Sequence, residues 1–95
     1  MLDMIRSFKS RRTEDLFTGK DVREFRAIRK VAERKLVYLD SAVKLADLAQ
    51  PPGNRLEKLK GNRDEQYSIR INDQWRLCFV WKADGPHDVE IVDYH

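Results

Sequence analysis

The fold is decided by one stretch of alternating residues, Tyr67-Ser68-Ile69-Arg70-Ile71-Asn72-Asp73-Gln74-Trp75-Arg76-Leu77-Cys78-Phe79-Val80-Trp81. Apolar side chains recur at every second position over residues 67–71, which predicts a half-buried strand. Residues 75–81 carry apolar side chains on both faces, which is typical of a central strand that is covered on each side. Asn72-Asp73 marks the hairpin turn between them, with Gln74 where glycine usually follows.

Two further strands flank this hairpin. The turn Ala83-Asp84-Gly85-Pro86 is followed by apolar residues at Val89, Ile91 and Val92, which predict a last strand. At the other end of the chain, Ile5–Phe8 is a short strand candidate. Leu56 and Leu59 lead into the polar loop 60–64, which joins the first half of the chain to the hairpin.

The first half of the chain has a helical period instead. A long helix is predicted over residues 22–39, with Asp21 as its N-cap and a brief helical turn at 13–17 before it. Ser41 is predicted to cap a second helix that runs to about Ala49. The apolar stripe of the long helix consists of Val22, Phe25, Ile28, Ala32, Leu36 and Leu39.

This order of elements, β-α-α-β-β-β, predicts an α+β domain. Both helices are expected on one face of a small, mostly antiparallel sheet, which leaves the other face as a working surface. A chain of 95 residues is enough for a single domain, 1–95. Residues 1–3 are an upstream extension if Met4 is the true start.

Composition limits the class of protein. The chain is 41% hydrophobic and 37% charged, and its formal net charge is +3. Its single cysteine, Cys78, forms no internal disulfide and lies in mid-strand, which favours a core position and a cytoplasmic protein. No segment resembles a signal peptide or a membrane span. Basic residues are in excess in the first half, which indicates either a polyanionic partner or a solvated helix face.

Two polar features are candidates for chemistry. Arg76 interrupts the most apolar strand, and its planar guanidinium is suited either to a substrate phosphate or to a carboxylate at the sheet edge. The triplet Asp93-Tyr94-His95 places three proton-handling groups together, unless it is a solvated tail. Two histidines and one cysteine are too few for a zinc site.

Basic side chains form a third candidate feature, a surface that could contact the phosphates of a polyanion. Lys58, Lys60 and Arg63 lie in the segment of residues 56–63, where such charges also serve solubility alone. The remaining members lie on the long helix: Arg23, Arg26, Lys30 and Arg34. Binding to a polyanion through the phosphate contacts of these groups would weaken steeply with salt.

Three segments together closely resemble the HigB-type toxins of the RelE/ParE superfamily, especially the GraT-like branch. The likeness covers nearly the whole chain from Met4, including Ile5-Arg6-Ser7-Phe8. The combination of an Asn-Asp-Gln-Trp-Arg stretch with a terminal Asp-Tyr-His is what makes it specific. The segments are Asn54-Arg55-Leu56-Glu57 with Lys60-Gly61-Asn62-Arg63, the hairpin Tyr67–Leu77, and the terminal run Val89–His95.

The resemblance implies a ribosome-dependent endoribonuclease, the toxin of a type II toxin–antitoxin system. It implies three kinds of partner: the ribosome, messenger RNA, and a HigA-like helix-turn-helix antitoxin through which operator DNA is bound. No cofactor or metal is implied, because the RNA 2′-OH is itself the nucleophile. Two rival functions stay open, a ParE-like inhibitor of DNA gyrase and a non-catalytic co-repressor module.

The resemblance also implies that Arg76 stabilises transition-state charge, that Asp93, Tyr94 and His95 contribute to catalysis, and that Lys60 lies on the same surface; a hypothesis about these residues and Glu57 assigns the individual roles. Arg76, with Lys60, would stabilise charge on the phosphate. Asp93 or Glu57 would be the base, and His95 or Tyr94 the acid, with histidine favoured because its ordinary pKa of about 6.5 is close to neutral. Tyr94 would alternatively stack on a base. Glu57 departs from the family pattern, because some HigB proteins have a histidine at this position. The departure bears on the rate of cleavage.

Overall fold

The computed structural model describes residues 4–59 and 65–94. The elements are helices α1 (Arg11–Phe17) and α2 (Arg29–Ser41), and strands β1 (Glu57–Lys58), β2 (Gln66–Arg70), β3 (Trp75–Lys82) and β4 (Gly85–Asp93). The strands form one antiparallel sheet in the order β1-β2-β3-β4. Helix α1 contacts β4 and α2 contacts β3, which confirms the predicted α+β fold with two helices packed against a small sheet.

The central hairpin is confirmed, and its turn needs no glycine. The side-chain oxygen Oδ1 of Asn72 accepts hydrogen bonds from the backbone N–H groups of Gln74 and Trp75, both at 2.8 Å. This local bonding replaces the backbone turn that a glycine would allow. Strand β3 lies between β2 and β4, as predicted from its two apolar faces.

The predicted opening strand is an extended segment with one bridge, so the β-α-α-β-β-β order is corrected at its first element. Phe8 makes a single parallel bridge to Val89 of β4. Around it, the Val89 N–H donates to the Ser7 carbonyl at 3.1 Å, and the Lys9 N–H donates to the Val89 carbonyl at 3.0 Å. The strand that completes the four-stranded sheet is instead β1, at its edge. It has only two residues, which is too short to be predicted from a pattern.

The long helix was predicted as one element, but it has two parts. Residues Arg23–Ile28 form a 3-10 helix, and α2 begins at Arg29. Asp21 is not the N-cap: Val22 occupies that position without a side-chain hydrogen bond, because the Asp21 carboxylate binds the Arg26 guanidinium instead. The six apolar positions of the predicted stripe are nevertheless all buried.

The predicted second helix from Ser41 to Ala49 is wrong. Ser41 is the last residue of α2, where its hydroxyl donates to the Val37 carbonyl at 2.8 Å. The chain then forms only a 3-10 helix at Leu45–Ala49, and Leu48 is its buried residue. The second helix of the pair is α1, which the sequence indicated only as a brief turn.

The core fills the space between the helices and one face of the sheet. Leu36 and Leu39 of α2, Ile69 of β2 and Leu77 of β3 are fully buried there. Helix α1 is attached to β4 by a side chain, because the Ile91 N–H donates to the Thr13 hydroxyl at 3.0 Å. Among the described residues, no helix has the length and hydropathy to cross a bilayer.

Candidate active site

The two faces of the sheet differ in composition. Leu77 and Phe79 of β3 point towards the helices and are buried in the core. Side chains in a strand alternate between faces, so Arg76 and Cys78 of the same strand point the other way. We call this second side the open face; the register places Glu57 of β1, Ser68 of β2 and Glu90 of β4 on it as well.

Arg76 lies flat on the open face and is only 9% exposed. Its Nε–H donates to the Ser68 hydroxyl at 2.8 Å, and its Nη2 donates to the Arg55 carbonyl at 2.7 Å. A longer bond of 3.4 Å joins Nη2 to the Ser68 carbonyl. All three acceptors are uncharged.

Two other predicted site residues approach this guanidinium. The Glu57 carboxylate lies 3.7 Å from Nη2 in a loose ion pair, and the glutamate side chain is 59% exposed. The Tyr94 ring centroid lies 5.8 Å from the Arg76 Cζ, within cation–π range. Tyr94 is placed by its backbone N–H, which donates to the Gln74 carbonyl at 2.7 Å. The structure therefore brings together Arg76, Glu57 and Tyr94.

Asp93 lies apart from this group. It pairs in register with Trp75, whose ring packs edge-on against Phe25 on the helical side of the sheet. Its carboxylate accepts a hydrogen bond from the Gln74 side-chain amide at 3.1 Å. Because Val92, the residue before it, pairs with Arg76, Asp93 and Arg76 project from opposite faces.

A groove continues from Tyr94 along the open face. It has a volume of about 210 Å³ and is lined by Lys9, Leu59, Gln66, Cys78, Glu90 and Tyr94, with Val92 at its floor. Cys78 is therefore half-buried in the groove rather than in the core between sheet and helices. The wall carries an amide, a carboxylate and an ammonium, which are the groups that hydrogen-bond to polar ligands.

The loop before β1 is held in place by the hydrogen bonds of one buried side chain. Asn54 is fully buried, and its amide donates to the carbonyls of Leu48 at 3.1 Å and Gln50 at 3.0 Å. Its oxygen accepts from the Lys35 ammonium. Burial, with smaller effects from the charges of Arg34 and Arg70, lowers the pKa of Lys35.

The predicted basic surface is partly neutralised within the helices. Arg26 binds Asp21 through three hydrogen bonds, which raise the pKa of Arg26 and lower that of Asp21. Among the described residues, no carboxylate forms an ion pair with the exposed Arg23, Lys30 or Arg34. These three side chains are accordingly the cations of this surface that remain open to a polyanion.

Of the other predicted RNA contacts, the structure describes Lys58 alone. Lys58 is exposed on β1, in register with Tyr67. Lys60, Arg63 and His95 lie outside the described residues. Within residues 4–59 and 65–94, no three His, Cys, Asp or Glu side chains are grouped as a metal site would need.

Two contributors to the site were missed at the sequence level. Ser68 occupies a polar position in β2 and was expected to face water, yet it is fully buried beneath Arg76. Arg55 contributes a backbone carbonyl from a left-handed conformation, with φ of 46°. The unusual backbone at Arg55 has no signal in its residue type, since glycine or asparagine would be the common choice there.

Comparison with known proteins gives a consistent set of relatives. A family model described as the RelE-like toxin of type II toxin–antitoxin system HigB matches residues 6–95. Toxin HigB-1 of Vibrio cholerae serotype O1 is 54% identical over 52 residues, which are 55% of this chain and 54% of that protein. An uncharacterized protein of Haemophilus influenzae is 40% identical over 53 residues, 56% of this chain and 52% of its own length. The chain thus spans about half the length of the curated relatives it matches.

Proposed function

The chain belongs to the HigB-like family of RelE-like toxins from type II toxin–antitoxin systems, and from this premise we propose that it is a ribosome-dependent endoribonuclease that cuts messenger RNA. The observation that carries the proposal is the grouping on the open face, where Tyr94 lies 5.8 Å from Arg76 and Glu57 lies 3.7 Å from it. A cation, a carboxylate and an aromatic ring around one point suit a phosphodiester and its adjacent base.

The reaction we propose uses the RNA as its own nucleophile. The 2′-OH attacks the adjacent phosphorus, the bond to the 5′-oxygen breaks, and a cyclic phosphate is left. One proton leaves the 2′-OH and another goes to the departing oxygen, so the enzyme needs a base, an acid and a cation. A positioned acid or base contributes about 10²–10⁴-fold.

The residues then take distinct roles. Arg76 stabilises charge on the phosphorus, and Lys60 is proposed to assist it. Glu57 is favoured over Asp93 as the base, because Glu57 shares the open face with Arg76 whereas Asp93 projects from the other face. Tyr94 is proposed to stack on a base, and His95 to be the acid.

Dependence on the ribosome follows from the small number of these groups. The site is open and shallow, so a bound ribosome would hold the message in the in-line geometry that the protein cannot impose alone. Arg23, Lys30 and Arg34 are proposed to contact ribosomal RNA phosphates. As a type II toxin, the chain is further proposed to bind a HigA-like helix-turn-helix antitoxin, to reach operator DNA only through it, and to act in the cytoplasm.

The test is a purified translation reaction with a defined message. Primer extension is expected to find new 5′ ends within translated codons, in the presence of ribosomes and not with naked message. A gyrase supercoiling assay runs in parallel. Loss of supercoiling with intact message would contradict the nuclease and support a gyrase inhibitor, while no effect in either assay would leave only a co-repressor module.

A further inference from the structure

The buried hydroxyl of Ser68 has no role in the function described so far. We infer that Ser68, together with the Arg55 carbonyl, is a positioning residue that holds Arg76 ready for the scissile phosphate. The inference deepens the proposed nuclease function and rests on it. It concerns how the guanidinium is oriented before any message arrives.

The first argument is the distribution of hydrogen bonds around the guanidinium. Arginine has five N–H donors in a rigid plane. The Nε–H is taken by Ser68 Oγ at 2.8 Å, and Nη2 by the Arg55 carbonyl at 2.7 Å. In the part of the chain that the structure describes, nothing accepts from Nη1. One edge of the plane is therefore fixed to the protein, and the other is left for a ligand.

The second argument is charge. An arginine that is hydrogen-bonded to a carboxylate forms a strong charge-assisted pair, which competes with any second anion. The acceptors here are a hydroxyl and two carbonyls, and the carboxylate of Glu57 stays at 3.7 Å, beyond hydrogen-bond distance. The uncharged acceptors consequently fix the orientation of the cation, and Glu57 offsets its charge only through a loose ion pair that a phosphate could displace.

The third argument is that both acceptors are themselves immobile. Ser68 is fully buried in β2, paired with Glu57 on one side and Cys78 on the other. The Arg55 carbonyl belongs to a residue in the left-handed conformation. The preceding residue, Asn54, is fully buried, and its side chain is hydrogen-bonded to three partners. A non-glycine residue in this conformation persists where its surroundings impose it, which is common at functional sites.

The test compares Ser68→Ala with the matched control Ser41→Ala, which removes an exposed hydroxyl from α2. Single-turnover cleavage is measured on ribosomes saturated with toxin. Ser68→Ala is expected to slow cleavage by about 10- to 100-fold, with unchanged affinity for the ribosome, because a misplaced group loses rate rather than binding. Ser41→Ala is expected to cut at the wild-type rate.

A double-mutant cycle separates positioning from a general loss of structure. If Ser68 acts through Arg76, Ser68→Ala has no further effect once Arg76→Ala is present. An equal slowing in both backgrounds, or full activity of Ser68→Ala, would overturn the inference.

A second readout is independent of cleavage. The Arg76 Nε–H should exchange slowly with water in the free protein by NMR, and Ser68→Ala should accelerate that exchange by at least about tenfold. Unchanged exchange would contradict the inference. A third outcome is that the wild-type chain cuts no message, while Ser68→Ala still accelerates the exchange. That result would contradict the proposed function alone.

Discussion

Arg76 and Asp93 project from opposite faces of the sheet, although their strands are hydrogen-bonded neighbours. The register places Val92 beside Arg76 and Asp93 beside Trp75, one residue out of phase. A carboxylate that acts on the phosphate we propose for Arg76 must reach the open face. Glu57 meets this condition, because its side chain lies 3.7 Å from the guanidinium.

The first prediction therefore concerns the base. Glu57→Gln is expected to slow message cleavage by about 10²–10⁴-fold, because the amide retains the shape of the carboxylate and cannot take up a proton. Asp93→Asn, the matched control, is expected to slow it by less than tenfold. Single-turnover rates at several pH values measure both. Equal losses would contradict the assignment to Glu57, and a larger loss for Asp93→Asn would assign the base to Asp93.

The second prediction concerns the shape of the cation. Arg76→Lys retains the charge but lacks the planar fork that binds Ser68 and Arg55 at once. Its cleavage rate is expected to fall by about 10²–10³-fold, close to the loss for Arg76→Ala. Lys82→Arg, at the exposed end of β3, is the control and should leave the rate unchanged. Wild-type activity of Arg76→Lys would mean that charge alone is sufficient.

The third prediction concerns the helical cations. Lys30 and Arg34 lie one turn apart on α2 and are exposed, whereas Arg26 is already bound to Asp21. Lys30→Gln and Arg34→Gln are each expected to weaken ribosome association. Each is also expected to reduce the slope of log affinity against log salt concentration by about one. Arg26→Gln should change the salt dependence less. Association that is insensitive to salt in the wild-type chain would exclude this surface.

The fourth prediction concerns stability beneath the site. Asn54→Ala removes the acceptor of the buried Lys35 ammonium and the donor to two carbonyls. The free energy of unfolding is expected to fall by about 3 kcal/mol, since a buried charged group is left without its partner. Adding Lys35→Met should recover part of that loss. Denaturant titration measures both variants, and a loss from Asn54→Ala below about 0.5 kcal/mol would show that water replaces the amide.

The fifth prediction concerns pH. The hydrogen bond from Arg26, aided by the charges of Arg26 and Arg29, lowers the pKa of Asp21 from its ordinary value of 3.8. Asp21 therefore contributes stability that is present above pH 3.8 and is lost as pH falls through its pKa in the folded protein. Arg26→Ala should return the NMR titration midpoint of Asp21 towards 3.8. Asp47, whose pKa is lowered by the backbone N–H groups of Lys44 and Val43, is the internal control and should not move.

The boundaries of the helices show what periodicity can and cannot predict. The apolar stripe was read as one helix because Val22, Phe25 and Ile28 fit a helical face. Their spacing of three residues equally matches a 3-10 helix, and the structure has that form up to Ile28. The spacings of four, from Ile28 to Ala32 and from Ala32 to Leu36, coincide with the α-helix. Residue burial was thus predictable where the type of helix was not.

The site was predictable only in part, and for a physical reason. The position of Arg76 in an apolar strand and the terminal triplet were visible in the sequence. Whether two such residues share a face depends on strand register, which a shift of one residue reverses. That is why Tyr94 joins Arg76 and Asp93 does not. The burial of Ser68 depends on the side chain that covers it, and no local pattern contains that information.

The contact between Phe8 and Val89 has a consequence for biosynthesis. An early segment docks on the last strand of the sheet, and the Thr13 hydroxyl bonds to the same strand at Ile91. A nascent chain still missing β4 has neither this docking partner nor the Tyr94 side of the site. The fold and the candidate site can therefore be completed only after synthesis has passed these positions, so a chain that cuts messages as we propose would do so only after its own β4 has been made.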